Sequence, residues 1–308
     1  MRSLVERLPG PVRAGVELAE RATRDAVADR VPGLAAEATL FVLISLPALL
    51  LVVLGSLGFV AARLGPAGQE ELDRLVYDVP RTFLSSTTYE SYADIVAQVL
   101  DAGRVDVIGI GAVLALWTGS RATSRVLETL VIVYDIESPR PGWRRRLLAL
   151  GLTAGALLAA VALLPLLVLG PRLVEYVAPD TIATATLTAF GWAYWPALGA
   201  LVLAGLTTLF HVGVPWHTPW RRDLPGAVLA MVVWLVAAAA LRVYLALSVL
   251  GGDEAVYGQL GTPIAVVLWL YVSSIAVLLG AELNAEIEKR WPTIERAEQQ
   301  AAVDQHTG

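Results

Sequence analysis

The chain has 308 residues, of which 56% are hydrophobic and only 17% charged. A soluble domain carries about a quarter charged residues, so the deficit, with a mean hydropathy of +0.63, points to lipid as the solvent. A net charge of −5 excludes a basic nucleic-acid binder, and the absence of cysteine excludes disulfides, thiolate metal sites and thiol catalysis.

Residues 1–34 read as a cytoplasmic N-terminal segment. No signal peptide is visible, because the first 20 residues are charged throughout and lack a central apolar run. Within the segment, Val12, Val16, Ala19, Ala22, Ala26 and Val27 recur near helical spacing between Arg and Glu. The pattern predicts an amphipathic helix over 12–31. It either lies on anionic lipid headgroups or packs on the protein, and the sequence leaves both open. Pro32–Gly33 ends it and launches the first membrane helix.

A bilayer core needs about 20 apolar residues in a helix. Six stretches within 35–290 satisfy or approach this: 36–62, 105–134, 147–170, 192–210, 224–248 and 258–283. The second is the weakest, since its apolar run stops near Trp117. The predicted fold class is therefore all-α, a polytopic integral membrane helical bundle of about six transmembrane helices. The exposed outer connection 63–104 is acidic, and Tyr92, Ile95, Val96, Val99 and Leu100 in it predict a helix with one resting face. Residues 291–308 read as a disordered cytoplasmic tail.

Orientation follows from the arginines. Of 23 basic residues, 22 are Arg and one is Lys289. The N-terminal segment holds six, the connection 118–146 six, the connection 211–223 two and the tail three. The intervening connections hold four, one and none. The resulting 17 against 5 places both termini in the cytoplasm and requires an even number of crossings.

Charges at membrane depth are costly, by about 2.5–3.5 kcal/mol each on insertion scales, so each asks for a reason. Arg121, Arg125 and Glu128 share one helix face, and Arg125 can pair with Glu128. They form either the polar wall of a cavity or the charged end of a helix leaving the bilayer. Arg242 lies inside the fifth helix and either snorkels outward or binds an anionic group. Glu282 and Glu286 sit one turn apart on a stripe with Ser274 and Leu278. Pairing of Glu282 with an arginine near the second helix is the structural expectation; proton coupling is the functional one. Ala276, Gly280 and Asn284 form a small-residue ladder, as do Ala281 and Ala285. Pro47 and Pro165 can kink the first and third helices. Trp192, Trp195, Trp269 and Tyr271 read as packing or interface anchors. His211, His217 and His306 do not cluster with carboxylates at ligand spacing, so no metal and no cofactor are expected. No phosphate-cradling loop or nucleophile elbow is present.

The C-terminal third carries a family pattern. Tyr257-Gly258-Gln-Leu-Gly261-Thr-Pro-Ile is followed by Leu268-Trp269-Leu-Tyr271 and by Leu279-Gly280-Ala281-Glu282-Leu-Asn284-Ala-Glu286. Together these resemble the hallmark of the YihY/virulence factor BrkB-like membrane proteins. Ala35 to Pro47, Trp117 with Ser120 and Arg121, Leu130 with Tyr134, Pro225-Gly226-Ala227, Trp234 and Tyr244 extend the resemblance over roughly 30–290. It implies six transmembrane helices in the bacterial cytoplasmic membrane. It implies little chemistry: some members carry an old ribonuclease label, and others are linked to envelope transport. The residues argue against a nuclease, since no acidic metal cluster or aromatic-basic RNA surface is visible.

The sequence reading is thus a non-enzymatic membrane protein that transports, or assists export of, an anionic envelope lipid or glycolipid. The candidate substrate-binding residues are Arg121, Arg125, Glu128, Arg242, Glu282 and Glu286. Membrane lipids are the expected partners, with room for a homo-oligomer and none for nucleic acid. The alternative is a non-transporting scaffold for envelope assembly.

Overall fold

With lipid for solvent, backbone N–H and C=O groups must be satisfied within the chain, and the helix does this locally. The computed structural model describes residues 21–22, 24–81, 86–100, 105–136, 141–177, 180–215, 219–250 and 261–293, and every regular element among them is helical. Six helices are long: α1 Val31–Arg63, α4 Val105–Val133, α5 Gly142–Val177, α6 Asp180–Gly213, α7 Leu224–Leu250 and α8 Gly261–Arg290. Two shorter ones, α2 Pro66–Asp73 and α3 Ser86–Leu100, lie between α1 and α4. Five of the long helices are apolar enough to cross a membrane; α4, the weakest of the predicted spans, is the exception.

The helices overrun the predicted spans. The 33 residues of α1 extend about 50 Å, against a hydrocarbon core of about 30 Å. Helices α5 and α6 are continuous to Val177 and from Asp180, so most of the expected connection 171–186 is helical. Pro47 and a second proline, Pro196, sit inside their helices without ending them. Large apolar side chains face outward, with Leu158 70% and Val236 64% exposed. That inverted pattern suits a lipid belt.

Small residues set the packing. Gly226 of α7 and Gly280 of α8 meet backbone to backbone: a Cβ on either would collide with the other's carbonyl oxygen. Asn284 then bridges the pair of helices. Its Oδ1 accepts from Gly226 N at 2.8 Å, and its Nδ2 donates to the Asp223 carbonyl at 2.9 Å. On the other side, α1 runs along α4, where Gly111 lies against Leu51 and Val52. Gly119 of α4 meets Thr153 of α5, and Thr123 and Thr153 share a 2.8 Å hydrogen bond. The main buried cluster joins Leu127, Leu130, Tyr134, Phe210, Ala227, Ala281 and Ala285, side chains from α4, α6, α7 and α8.

The ends of the bundle differ. At one end, Lys289 of α8 reaches Asp25 and Asp135, and Arg222 reaches Glu288. The N-terminal segment, the end of α4, the start of α7 and the end of α8 therefore lie together. These are the segments in which the sequence concentrates its arginines. At the other end α2 and α3 cap α1, with Leu72, Val76 and Val96 packed on Leu57 and Ala61. Between them Arg74–Asp78 forms a π-helical turn, whose Val76 carbonyl accepts from Tyr92 Oη at 2.8 Å. Tyr92 and Val96 supply the expected resting face, whereas Ile95 points outward at 60% exposure. Val99 and Leu100 have side chains outside the described set.

Residues 21–22 and 24–28 form the described part of the amphipathic N-terminal helix. Ala22 and Ala26 are buried, the latter against Val31, Ala35 and Leu278, so this portion packs on protein; Val27 is exposed. Residues 1–20, which include the first nine of the predicted helix, lie outside the described residues, as does the tail after Thr293.

Replacing Gly280 by Leu should separate α7 from α8. Overpacking typically costs about 1–3 kcal/mol, and with backbone on the far side nothing can yield, so the upper end or beyond is expected. Thermal unfolding in detergent, followed by size-exclusion, should show a large loss of folded protein, with Gly151→Leu on open helix surface near wild type.

Candidate functional site

Polar side chains gather at the Arg-rich end in three neighbouring groups. The first is built by α4 and α5. Arg125 Nη1 binds Glu128 Oε2 at 2.7 Å, the expected pairing, and also lies 3.3 Å from Glu37 of α1. Glu128 Oε1 accepts from Arg145 Nη2 at 2.8 Å. Arg125 also stacks over Phe41. Arg121 is exposed and stacks over Trp117, whose ring also meets Arg146; both guanidinium carbons lie 5.4 Å from the ring centre. Glu128 is thus already occupied by two arginines, while Arg121 is exposed and Arg146 half-buried beside Trp117.

The second group secures α8 to the start of α7. Glu288 is buried, accepts from Thr293 N and Oγ1, and pairs with Arg222 at 3.2 Å. His211 Nδ1 lies 3.2 Å from Asp223 Oδ2. This single pairing was not foreseen from the sequence: the 3₁₀ turn Trp220–Asp223 folds back to bring the carboxylate to His211. Among the described residues no three His, Asp or Glu converge at metal-ligand spacing. His217 and His306 lie outside those residues.

The third group is the most unusual. Helix α4 ends in a Schellman-type turn, with Ile136 N donating to Val131 O and Asp135 N to Ile132 O. Asp135 takes the left-handed conformation (φ 49°), which Asp tolerates better than bulky residues. The N-terminal segment ends similarly, with Arg30 at φ 56°, just after Asp29. These two turns deliver Asp25, Asp29 and Asp135 to the end of α8. There Lys289 Nζ meets Asp25 at 3.2 Å, Asp135 at 3.1 Å and Glu286 at 3.3 Å. Glu282 lies one turn deeper. It is fully buried, and neither carboxylate oxygen receives a hydrogen bond. The expected arginine partner is absent; its close neighbour is the Asp29 carboxyl, within hydrogen-bonding reach. The physical reason is register. The arginines of α4 sit about two to three turns before its end; Arg125 is held by Glu37 and Glu128 and Arg121 lies over Trp117, whereas Glu282 faces the N-terminal segment.

The candidate residues do not all converge. Glu282 and Glu286 share the third group, and Arg125 and Glu128 the first. Arg242 is exposed on α7, about 24 Å along the axis from Gly226 and so far from α8's acidic end. Of the family-motif residues, Tyr134, Gly226, Gly280 and Ala281 are buried in packing. Tyr271 packs near Leu278, and Trp269 stacks on Trp234, whose Nε1 donates to Ser273. Pro47 lies inside α1, Trp117 at the surface, and Gly261 opens α8. Tyr257 and Gly258 lie outside the described residues. Sequence reading missed Asp25, Asp29, Asp135 and Lys289. The available signal was that the chain's single lysine falls one turn after Glu286, on the end of the last helix.

The glycine contact and the Asn284 clamp fall inside the C-terminal sequence motif, and the sequence matches a known family. The sequence profile described as Virulence factor BrkB covers residues 22–305. The chain belongs to that family. Among curated relatives, a "Putative ribonuclease-like protein YfkH" of Bacillus subtilis is 28% identical over 195 residues, 63% of this chain and 70% of that one. A "UPF0761 membrane protein" of Tolumonas auensis is 35% identical over 112 residues, 32% of this chain and 36% of its own. A UPF0761 membrane protein of Stenotrophomonas maltophilia is 31% identical over 164 residues, 53% of this chain and 37% of its own. This chain therefore spans well under half the length of the UPF0761 proteins it matches. No solved structure matches this BrkB-family chain.

Two predictions follow from this geometry. Glu288→Ala leaves Arg222 and the Thr293 N–H without a buried partner and should cost on the order of 3 kcal/mol. Glu71→Ala, whose partner Arg74 is 63% exposed, should cost less than about 1 kcal/mol in the same unfolding assay. For pH, burial and then Asp135 push the Asp29 carboxyl above the ordinary aspartate range, with Lys289 opposing. A raised carboxyl holds its proton more tightly when folded, so its stabilisation is present below the ordinary value of about 3.9 and is lost as pH rises through the folded-state value. The thermal midpoint should fall over that rise, and Asp29→Asn should flatten the decline.

Proposed function

We propose that this BrkB-family membrane protein moves, or helps to move, an anionic envelope lipid or glycolipid in the bacterial cytoplasmic membrane. The observation that carries this reading is an apolar groove of about 420 Å³ between α7 and α8. Ala237, Ala240, Leu241 and Tyr244 line one wall, and Leu268, Trp269 and Val272 the other. Its volume is within the range of about 300–1,000 Å³ of small-molecule sites, and its lining suits an acyl chain. It lies in the half of the bundle away from the arginine-rich end. Charge for a headgroup is offered separately, by Arg121 and Arg146 around Trp117 at that end and by exposed Arg242 on the far half of α7. No catalytic step is part of this reading.

The second reading, a scaffold for envelope assembly, is favoured by the α2–α3 cap. It presents the exposed acids Glu70, Asp73, Glu90 and Asp94 and the apolar Ile95 away from the bundle.

Native mass spectrometry of the purified chain separates the two. Lipid handling predicts selective retention of anionic lipid. Ala240→Phe, which fills the groove, should lower that retention about tenfold, equal to about 1.4 kcal/mol. In proteoliposomes Arg242→Gln should slow transbilayer movement of a fluorescent anionic lipid. A folded protein that retains no lipid class selectively and moves none would sink the transport reading and leave the scaffold.

A further inference from the structure

At the end of α8 three carboxyl groups meet one ammonium group, and two further carboxyls lie close by. Facing Glu282 or its immediate neighbours are Asp25 and Asp29 from the N-terminal segment, Asp135 from the end of α4, and Glu286 and Lys289 from α8 itself. The charged groups of the other elements packed there are engaged elsewhere. Glu37 of α1 meets Arg125, Arg222 before α7 binds Glu288, and Asp223 lies by His211. Lys289 is shared among Asp25, Asp135 and Glu286. Glu282 is left fully buried, with both oxygens lacking a donor and a second carboxyl, Asp29, beside it.

Two ionised carboxylates in contact, one of them out of water, repel strongly and leave buried acceptors unsatisfied. A single shared proton removes both penalties. It cancels one charge and supplies the missing donor between the oxygens. A metal ion would also supply charge, but among the described residues no three acidic or imidazole groups are arranged at metal-ligand spacing. The geometry points to a proton-binding site: Glu282 and Asp29 form a carboxyl pair that holds one proton and exchanges it with water at the Arg-rich end. Asp29 is half-buried and Asp135 is exposed, so the pair joins a sealed interior position to the surface. The proton comes from bulk water, sits between the two carboxyls, and returns by the same route. Because Asp29 belongs to the N-terminal segment and Glu282 to α8, losing the proton also sets two like charges across their contact. Binding of the proton and docking of that segment are therefore linked. The site does not depend on lipid handling, and its test reads neither lipid retention nor lipid movement.

The experiment is an infrared pH titration of the purified full chain in lipid nanodiscs, following the carbonyl stretch of protonated carboxyls. Wild type should show such a band at neutral pH, lost on alkalinisation. Glu282→Gln, an isosteric neutral variant, should abolish it, while Glu90→Gln on the exposed cap should not. Should Glu282→Gln fail to fold, Asp29→Asn serves instead. It should shift the band's titration midpoint by at least about one pH unit, tenfold in proton affinity. A folded wild-type protein without the band at neutral pH overturns the proposal. So does a band that survives Glu282→Gln, or a midpoint that Asp29→Asn leaves in place.

Discussion

The contact between Gly226 and Gly280 is the constraint on which the polar end of the molecule depends. Two backbones touching leave no rotational freedom for α8 relative to α7, and Asn284 fixes the register by bonding both the N–H of Gly226 and the carbonyl of Asp223. Once Gly280 and Asn284 face α7, the helical repeat decides the rest. Glu288, one turn on from Asn284, meets Arg222. Ala281 and Ala285 face the α4–α6 core. Glu282 and Glu286 are turned toward the N-terminal segment, where aspartates rather than arginines await them. In lipid, where apolar burial gives little net drive between helices, such close contacts and satisfied polar groups carry the association.

Much of the fold was legible because lipid imposes a coarse and unforgiving code. Long apolar runs located the helices, and the arginine count placed N-terminal segment, second connection, fourth connection and tail on one side; the ion pairs of Lys289 and Arg222 gather those segments at one end. The ladder Ala276-Gly280-Asn284 announced a close contact, and Gly280 makes one. Boundaries were less legible, since an apolar helix can continue past the bilayer edge at little cost, as α5 and α6 do. The partner of Glu282 was not legible. A periodic reading ranks neighbours on one helix, but Asp29 and Asp135 reach the site through two left-handed turns, and no short-range pattern specifies which turn end meets which helix. His211 illustrates the same gap: its carboxylate lies 12 residues on, returned by a 3₁₀ turn.

Helix α4 shows why a span can be long without being clearly apolar. Its Arg121, Arg125 and Glu128 fall in the half nearer the arginine-rich end, where ion pairs to α1 and α5 and stacking on Trp117 and Phe41 offset their desolvation. Composition alone cannot credit those partners, because they come from other helices. The same segment therefore scores poorly as a membrane span while it packs against α1 and α5 as closely as any helix of the bundle.

The lone lysine has a chemical consequence. In a chain that otherwise uses arginine throughout, position 289 presents three N–H donors to three separate carboxylates, an arrangement a tetrahedral ammonium satisfies and a planar guanidinium fork does not. It is also the only primary amine carried by any side chain. An acylating reagent applied to the folded protein therefore has one side-chain target. The reactivity of that amine reports on the carboxylate cage as a whole, because Asp25 comes from the N-terminal segment, Asp135 from the end of α4 and Glu286 from α8 itself. The protein carries its own single-site chemical reporter, at the junction where its first and last described segments meet.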